Sequence, residues 1–423
     1  MADLAFLAAT IITMISTIDR DHPRGGAAHA RLEIGPGPAP GSRRRVCVVS
    51  ETYPPEINGV AMTLARLVDG LRGRGHAVSV VRPRQWVDRR GPLRDPEEFL
   101  VHGAPLPGYG GLQIGLPAAG ALRRHWTRHR PDVVYVATEG PLGWSAVRAA
   151  TRLRLPVVSG FHTNFHSYAK HYHAGWIVRV VAGYLRRFHN RTTATVVATA
   201  DLRARLNALG FTNLSVLGRG VDSGLFTPER RCAALRAAWG VSEHDIVALY
   251  VGRIAPEKNL ELAVEAHRAM QQVGGARRFV LVGDGPQRAA LQKRHPDLVF
   301  CGAIIGEQLA AHYASADVFL FPSETETFGN VVLEAMASGL ALVAYDYAAA
   351  RMHVTHGETG VLIPYGQAAA FVAGAVELAR SPLRLARMRR RAPASLASVA
   401  WPRVIERFEA ILSDALGQRR TPS

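Results

Sequence analysis

Short apolar runs alternate with helix-like stretches along most of this chain, and this alternation limits its fold more than any other feature. From residue 44 the runs RVCVVS, AVSVVRP, DVVYVAT, LPVVSGF and ATVVATA are separated by segments such as GVAMTLARLVDGLRGRG. Such alternation predicts parallel strands joined by crossover helices. The predicted fold class is therefore α/β, with a doubly wound parallel sheet.

The pattern breaks at residues 218–231, GRGVDSGLFTPERR, and then starts again. The second series comprises DIVALYVGR, RFVLVGDG, LVFCGA, DVFLFPS and LALVAYD. A chain of 423 residues is long enough for two cores. We predict two doubly wound Rossmann-like domains, one over residues 43–225 and one over residues 226–400.

Residues 1–42 differ from the rest of the chain. Their opening apolar stretch is shorter than the ~20 residues that a membrane-spanning helix needs. Asp3 stands where a signal peptide would carry positive charge. Because Gly, Pro, Ala and Arg dominate the following tract, we predict a disordered N-terminal extension. A misassigned start codon and a weak membrane anchor are the alternatives.

Positive charge is concentrated in the first half. The net charge is +17, and residues 1–220 carry 29 Lys and Arg against 14 Asp and Glu, compared with 22 against 20 in the remainder. No carboxylate lies between Glu139 and Asp201. This half is expected to meet anions: nucleic acid, an anionic membrane or a phosphorylated small molecule. The alternative is the arginine-rich composition of a GC-rich genome.

The cysteines Cys47, Cys232 and Cys301 are far apart and form neither a disulfide framework nor a zinc spacing. A reducing compartment follows as the default. We predict a cytoplasmic protein, with peripheral attachment to the inner face of the plasma membrane as an extension of that prediction.

Two basic residues follow the first strand of the second series, and a glycine-containing turn follows the second strand. In open parallel sheets, ligands bind outside the carboxyl ends of the strands. Arg253 and Lys258 follow VALYVG, where a guanidinium and an ammonium at a strand-to-helix junction suit a diphosphate. The turn DGP at 284–286 follows FVLVG, and Gly283 with Gly285 would let backbone approach a ligand closely.

The segment SETETFGNVVLEAMASG, residues 323–339, follows another strand and then becomes a helix. It places Glu326 in the loop, Phe328, Gly329 and Asn330 in the first helical turn, and Glu334 one turn further in. Amide N–H groups of a first turn point at a bound ligand, and carboxylates accept hydrogen bonds from sugar hydroxyls. A loop glutamate could thus hold a hexose, and the deeper one a ribose.

Each of these charges taken alone could be a solvated surface group. Arg253 with Lys258 could equally be a charge pair flanking a helix. Their joint position after neighbouring strands favours a binding site over separate surface charges.

Three segments of the second series, VGRIAPEKNLE, LVGDGPQRAAL and SETETFGNVVLEAMASGLALVA, resemble a known family. They are similar to the donor domain of retaining GT-B glycosyltransferases of the family 4, or "glycosyl transferases group 1", type, which includes bacterial GDP-mannose-dependent alpha-mannosyltransferases. The resemblance covers nearly all of residues 44–418. It implies two Rossmann-like domains facing each other across a cleft, with the acceptor side in 43–225 and the donor side in 226–400. Residues 401–423 would be a helix crossing back to the first domain, plus a tail.

The resemblance also implies roles for individual residues. In the family, the Arg and Lys of the first motif contact the diphosphate, the first Glu of an E-x7-E motif contacts the donor sugar and the second contacts the ribose. The matching positions are Arg253, Lys258, Glu326 and Glu334. Gly59, in EINGV, would let helix-start amides approach the donor phosphate, although a plain turn glycine is the alternative.

His162 follows LPVVSGF, and a histidine at this place in the family contacts the donor sugar near the reacting carbon. The alternative is a satisfied core histidine, and other histidines follow at 166, 171, 173 and 189. We predict His162 and Glu326 as the catalytic residues, with Glu326 positioning the sugar rather than acting as a base.

No D-x-D cluster or His/Cys ligand set is visible, so we predict no cofactor and no metal requirement. Arg253, Lys258 and helix N–H groups would stabilise the departing nucleotide. The resemblance implies retention of configuration through front-face attack by an acceptor hydroxyl.

The predicted function is transfer of a hexose, mannose from GDP-mannose by preference, to a lipid-linked or sugar acceptor. Residues 171–191 could be a helix buried on one face or a basic amphipathic helix resting on an anionic membrane. A UDP-hexose donor, a sugar-nucleotide 2-epimerase, a catalytically dead subunit and a nucleic-acid or anionic-membrane binding protein are the alternatives. No recognisable nucleic-acid-binding motif is present, so we predict no nucleic-acid partner.

Overall fold

A computed structural model describes residues 43–418 except 57, 90–94, 96, 106–112, 163–174, 275 and 327. The chain separates into two compact units. The first unit runs up to Leu217 and includes the chain from Ile405 onward, and the second unit spans Gly218–Val404. The domain limits at residues 225 and 400 stay predictions. The proposed extension, residues 1–42, lies outside the described residues.

Fifteen strands are described. In chain order they are β1 Arg45–Val49, β2 Ala77–Pro83, β3 Glu98–Val101, β4 Gly103–Pro105, β5 Gln113–Gly115, β6 Val133–Val136, β7 Val157–Gly160, β8 Ala194–Val197, β9 Leu214–Val216, β10 Ile246–Val251, β11 Ala276–Val282, β12 Val299–Gly302, β13 Val318–Phe321, β14 Ala341–Tyr345 and β15 Gly360–Ile363.

The described α-helices connect these strands. They are α1 Gly59–Gly73, α2 Ala119–Arg128, α3 Pro141–Arg152, α4 Gly175–His189, α5 Ala200–Ala208, α6 Ala233–Ala238, α7 Leu260–Gln272, α8 Arg288–Arg294, α9 Gly306–Ser315, α10 Asn330–Ala337, α11 Ala348–His353, α12 Ala368–Arg380, α13 Pro382–Ala394 and α14 Trp401–Gly417. Short 3₁₀ turns occupy Trp86–Arg89, Pro228–Arg230, Pro256–Lys258 and Ala397–Val399.

Each unit contains one large parallel sheet. The order is β3-β2-β1-β6-β7-β8-β9 in the first unit and β12-β11-β10-β13-β14-β15 in the second. In both sheets the order reverses beside the first strand, where β1 pairs with β6 and β10 pairs with β13. This is the doubly wound arrangement of a nucleotide-binding Rossmann fold. The predicted pair of Rossmann-like α/β domains is therefore confirmed; the antiparallel pair β4-β5 was not predicted.

The strands form where the sequence is continuously apolar because helices cover both faces of each sheet. All residues of β6, β13 and β14 are buried. Near-continuous apolar runs of this kind are typical of parallel strands. Around these three strands the charged residues lie in the loops at the strand ends, which is where a site can form.

The part of α14 from Ile405 onward packs on the first unit. The Phe408 ring meets Tyr135 edge-on with centroids 4.9 Å apart, and Glu409 pairs with Arg74 at 2.6 Å and with His76 at 3.1 Å. Ile405 lies against Gly70, where a Cβ atom would stand 2.0 Å from the isoleucine Cδ1. Apolar packing and ion pairs together hold this segment to the first unit.

Candidate functional site

The loops that follow β10 and β13 meet at the point where the strand order of the second sheet reverses. The amide of Glu324 donates to the carbonyl of Glu257 at 3.0 Å, which joins the two loops directly. The amide of Ile254 donates to the carbonyl of Asp284 at 2.9 Å, which adds the loop after β11. The side chains on these loops are therefore held on one backbone framework.

Gly283 shows how closely these loops approach each other. Its φ is +140°, and a Cβ atom there would lie 1.9 Å from the carbonyl oxygen of Gly252. No side chain fits in that space or favours that backbone conformation. The glycine therefore brings the ends of β10 and β11 together beneath the candidate site.

Lys258 and Glu326 form the central pair of the site. The Lys258 Nζ lies 2.5 Å from Oε1 of Glu326, and the two side chains are only 15% and 13% exposed. The hydroxyl of Ser323 donates to the same Oε1 at 2.8 Å. The sequence predicted that Lys258 contacts the diphosphate and that Glu326 contacts the sugar. In the structure the two side chains contact each other. A ligand that engages Lys258 must share it with Glu326.

Arg253 is the more accessible cation. Its side chain is 54% exposed and lies 3.7 Å from Glu257 in a loose ion pair. The hydroxyl of buried Tyr250 donates to the Arg253 carbonyl at 2.9 Å, which fixes the backbone under the guanidinium. The guanidinium can therefore turn toward an anion without moving the loop.

The loop before α10 differs in detail from the prediction. The helix begins at Asn330, so Phe328 and Gly329 precede its first turn rather than belonging to it. Gly329 has a left-handed φ of 93°, and the Phe328 ring is buried against His353. The Phe328 side chain therefore packs in the core, and only its backbone could contact a donor.

Glu334 lies inside α10 and is largely removed from water. The hydroxyl of Tyr313 donates to its Oε2 at 2.9 Å. Burial raises the pKa of Glu334 to about 7, against the opposing effect of that hydrogen bond. Near neutral pH both protonation states of this carboxyl are populated. It could therefore accept from or donate to a ribose hydroxyl.

Gly59 is the first residue of α1, as the prediction that it starts a helix required. The N-cap is Asn58, whose Oδ1 accepts from the amides of Val60 at 3.1 Å and Ala61 at 2.9 Å. A phosphate approaching this helix start would compete with the Asn58 side chain for those two amides.

His162 follows β7 and is held by Tyr135. The Tyr135 hydroxyl lies 3.2 Å from His162 Nε2. Gly160 makes the approach possible because a Cβ atom there would lie 2.3 Å from the tyrosine oxygen. The residues that follow, 163–174, contain Thr163, Asn164 and three of the other histidines; they lie outside the described residues.

His189 has the character of a satisfied core histidine. It is buried, with Nδ1 2.9 Å from the Ser159 hydroxyl and Nε2 3.3 Å from Glu139 Oε1. Both ring nitrogens thus have partners. Of the two described histidines considered in this region, His162 is the one at a strand end.

Two carboxylates that we did not predict lie where the first sheet reverses. Glu51 follows β1 and Glu139 follows β6, and the Leu142 amide at the start of α3 donates to Glu51 Oε1 at 3.0 Å. Burial raises the pKa of Glu51 to about 8, and the charge on Glu139 adds to the shift. Both residues directly follow apolar runs. The strand-end rule applied to the second series would have found them in the first.

Glu51→Gln is expected to stabilise the protein increasingly as the pH rises from 5 to 8. The pKa of Glu51 is raised from 4.5 in a free carboxyl to about 8, so the folded state holds a proton that the unfolded state has released. Glu51 contributes fully to the stability of the folded state at pH values below its pKa in the unfolded chain. This contribution is lost as the pH rises through its pKa in the folded protein. Glutamine keeps an acceptor for Leu142 and cannot ionise. Thermal unfolding at several pH values measures the difference, which should be small at pH 5; a constant difference contradicts the argument.

The described part of α4 exposes its arginines together with Val180 and buries most of its apolar residues. Val181, Tyr184, Leu185 and Phe188 join the core of the first unit, whereas Arg186 and Arg187 are exposed. Of the two possibilities for residues 171–191, the described turns agree with a helix buried on one face, because Tyr184 and Phe188 pack inward. The exposed face of these turns is cationic.

The described residues contain no group of three or more His, Cys, Asp or Glu that could hold a metal ion. Independence from metal stays a prediction. Within the same described part of the chain, we find no helix both long and apolar enough to cross a bilayer.

Two family models match this chain, one for each series of strands. The model described as "Glycosyltransferase Family 4" matches residues 57–225, and that described as "Glycosyl transferases group 1" matches residues 245–381. Together they include the candidate residues of both units.

Two known proteins are similar over most of the chain. The GDP-mannose-dependent alpha-mannosyltransferase of Mycobacterium tuberculosis (strain CDC 1551) is 34% identical over 383 residues, which covers 89% of this chain and 98% of the relative. The GDP-mannose-dependent alpha-(1-6)-phosphatidylinositol dimannoside mannosyltransferase of M. tuberculosis (strain ATCC 25177) is 30% identical over 311 residues, covering 71% of this chain and 78% of the relative.

A solved structure agrees with the fold. Sucrose-phosphate synthase from Thermosynechococcus elongatus superimposes with a TM-score of 0.71 at 19% identity, covering 87% of this chain and 98% of that one. Two Rossmann-like units, each matched by a glycosyltransferase family model, define a nucleotide-sugar glycosyltransferase of the GT-B fold. The chain belongs to glycosyltransferase family 4. The resemblance stated from sequence is thereby confirmed, and the epimerase and nucleic-acid alternatives are not favoured.

Proposed function

We propose that this glycosyltransferase transfers mannose from GDP-mannose to a hydroxyl group of a glycolipid, without a metal ion and with retention of configuration. The observation that carries the donor assignment is the 34% identity to a GDP-mannose-dependent enzyme over 98% of that enzyme's length. A second relative also uses GDP-mannose and acts on a phosphatidylinositol dimannoside. A lipid-linked acceptor is therefore favoured over a soluble sugar.

The second unit supplies the groups that such a reaction needs at the donor. Arg253 and Lys258 stand at a strand-to-helix junction, where they would bind the diphosphate and stabilise the charge that develops as the nucleotide leaves. Glu326 would accept hydrogen bonds from mannose hydroxyls, and Glu334 from the ribose. Phe328, Gly329 and Asn330 would contribute backbone N–H groups near the start of α10.

The first unit would supply the remaining contacts. Gly59 would bring the start of α1 to the donor phosphate, and His162 would lie beside the reacting carbon of the sugar. The incoming acceptor hydroxyl would attack the face from which the nucleotide leaves, and the departing phosphate would take the proton. Glu326 acts by holding the sugar in line, which is an effect of orientation rather than proton transfer.

The cationic face of α4 is proposed as the surface that meets the anionic membrane carrying the acceptor. Arg186 and Arg187 are exposed there, and each basic residue near an anionic surface contributes about 1 kcal/mol of attraction. This binding is electrostatic and peripheral, at the cytoplasmic leaflet. It differs from insertion of aromatic residues, since Tyr184 and Phe188 are buried.

The test is calorimetric titration of the full chain with GDP and with UDP in EDTA, followed by transfer assays with GDP-mannose and with UDP-glucose, using a phosphatidylinositol dimannoside in anionic vesicles as the acceptor. We expect micromolar binding of GDP that added Mg²⁺ does not change, with UDP at least tenfold weaker. Mannosylated lipid should be the product.

Other outcomes would replace parts of the proposal. Tighter binding of UDP, with glucose transfer, would make the chain a UDP-hexose enzyme. Binding of neither nucleotide, together with tight binding to oligonucleotides or empty vesicles, would overturn the donor site altogether. Loss of GDP binding in EDTA with recovery in Mg²⁺ would contradict metal independence.

A further inference from the structure

The hydroxyl of Tyr347 is buried without a partner beside the candidate donor site. Tyr347 comes two residues after β14 ends, at the carboxyl edge of the sheet and next to the strand that precedes Glu326. Its oxygen is inaccessible to water and forms no hydrogen bond with any of the described residues. Buried polar atoms are almost always paired, so this one needs an explanation.

The tyrosine is held firmly against the loop that carries Glu326. The Ala349 amide donates to the Phe328 carbonyl at 2.9 Å, which ties the start of α11 to that loop. The Tyr347 ring meets Tyr365 edge-on with centroids 5.4 Å apart, and the Tyr365 hydroxyl donates to the Glu324 carbonyl at 2.9 Å. These contacts hold the Tyr347 ring against the loop that carries Glu326.

The charge of Glu326 acts on this hydroxyl more strongly than that of Glu324. Burial raises the pKa of Tyr347 well above its ordinary value, and the negative charge of Glu326 raises it further. The Ser323 hydroxyl, which donates to Glu326 at 2.8 Å, lies beside the Tyr347 hydroxyl and partly offsets the rise in its pKa, but it does not meet the tyrosine in hydrogen-bond geometry. The phenol therefore stays protonated at physiological pH and can act as a donor.

The hydroxyl adds nothing to the packing of the Tyr347 ring that phenylalanine would not supply. The ring makes the packing contacts, whereas an unpaired buried oxygen destabilises the folded state. Such a cost at a site edge is typical of a group whose partner arrives with the ligand.

We propose that Tyr347 is a donor-sugar contact whose hydroxyl donates a hydrogen bond to a sugar hydroxyl of the bound nucleotide sugar, next to Glu326. This inference rests on the proposed function, because it requires a nucleotide sugar in the second unit. It assigns Tyr347 a part in sugar recognition, so its loss should affect the sugar and not the nucleotide.

Tyr347→Phe in the full chain tests the assignment by three measurements: thermal unfolding, GDP affinity by calorimetry, and steady-state kinetics with GDP-mannose. We expect Tm to be unchanged or raised, GDP affinity to stay within about twofold, and kcat/KM for the donor to fall about tenfold, as expected for one lost hydrogen bond to the sugar. A purely structural role would instead lower Tm and leave kcat/KM unchanged.

Tyr184→Phe is the matched control. It removes the same atom from another buried tyrosine, but that hydroxyl has a partner, the Glu139 carbonyl at 2.5 Å. This variant should lower Tm and keep kcat/KM for the donor, which is the reverse of the Tyr347→Phe pattern.

The outcomes separate this inference from the proposed function. Normal kcat/KM in Tyr347→Phe, with an active wild-type chain, overturns the Tyr347 contact alone. An equal loss of GDP and GDP-mannose affinity also overturns it, because the hydroxyl would then contact phosphate rather than sugar. A wild-type chain that neither binds nor uses any nucleotide sugar would instead refute the proposed function, and the inference with it.

Discussion

Glu326→Ala is expected to reduce kcat for mannose transfer by about 10²–10³-fold while GDP binds at least as tightly as it does to the wild type. The glutamate is proposed to hold the sugar, which GDP lacks. Losing it should therefore misalign the reacting carbon and leave nucleotide recognition intact. Steady-state kinetics with GDP-mannose and calorimetry with GDP measure the two effects separately.

The pairing of Lys258 with Glu326 sharpens this expectation. The Lys258 Nζ lies 2.5 Å from the glutamate carboxylate in a mostly buried pair. A diphosphate that binds Lys258 must compete with this contact. Removing Glu326 removes both the competitor and a negative charge near the phosphates, so GDP affinity should hold or rise as turnover falls.

Two further variants make the result specific. Glu326→Gln keeps the size and one acceptor oxygen, so it should retain more activity than alanine and still fall well below the wild type. Glu324→Gln changes a carboxylate two residues away, whose Oε1 accepts from Asn259 Nδ2 at 3.4 Å. It should keep near-normal turnover. Unchanged turnover in Glu326→Ala would remove this residue from the sugar site.

Sequence alone could place the charged residues of the site because of one topological rule. Arg253, Lys258 and Glu326 each follow an apolar run, and strand ends of a parallel sheet meet at a single edge. The structure brings the loops of these residues together at the point of strand reversal. The roles of the individual side chains remain proposals.

Sequence could not show which of those residues contact each other. Contacts between side chains depend on their rotamers and on how closely the loops approach each other. The sequence pattern therefore could not predict the contact between Lys258 and Glu326. Phe328 was expected in a first helical turn, but the left-handed conformation of Gly329 delays the helix to Asn330 and turns the ring into the core.

Tyr347 is the clearest case of a residue that the sequence alone could not single out. Its segment, YDYAAARM, carries no motif, and several tyrosines occur nearby. Only tertiary packing against Tyr365 and the Glu326 loop makes its hydroxyl both buried and unpaired. Glu51 is different, since it lies two residues after the end of β1 and the strand-end rule would have been sufficient to find it, although we did not apply the rule there.

Replacing Arg253 and Lys258 together by alanine is expected to weaken GDP binding by roughly 3–6 kcal/mol, since each charge-assisted contact is worth about 1.5–3 kcal/mol. The single variants should differ in character. Arg253→Ala removes a cation that is 54% exposed and already screened by water. Lys258→Ala also leaves the Glu326 carboxylate without its partner at 2.5 Å, so a buried negative charge would then repel the diphosphate.

This difference predicts the order of the effects. Lys258→Ala should cost more GDP affinity than Arg253→Ala, and the further change Glu326→Gln in the Lys258→Ala background should restore part of it by removing the repelling charge. Calorimetry with GDP in EDTA measures the two single variants, the double alanine variant and the Lys258→Ala variant that also carries Glu326→Gln.

Lys293→Ala with Arg294→Ala removes the same two charges from the exposed end of α8 and should leave GDP binding unchanged. If this control weakens binding as much as the site variants do, the attraction is a property of net charge and not of a diphosphate site. If the site variants bind GDP normally, the diphosphate must bind elsewhere.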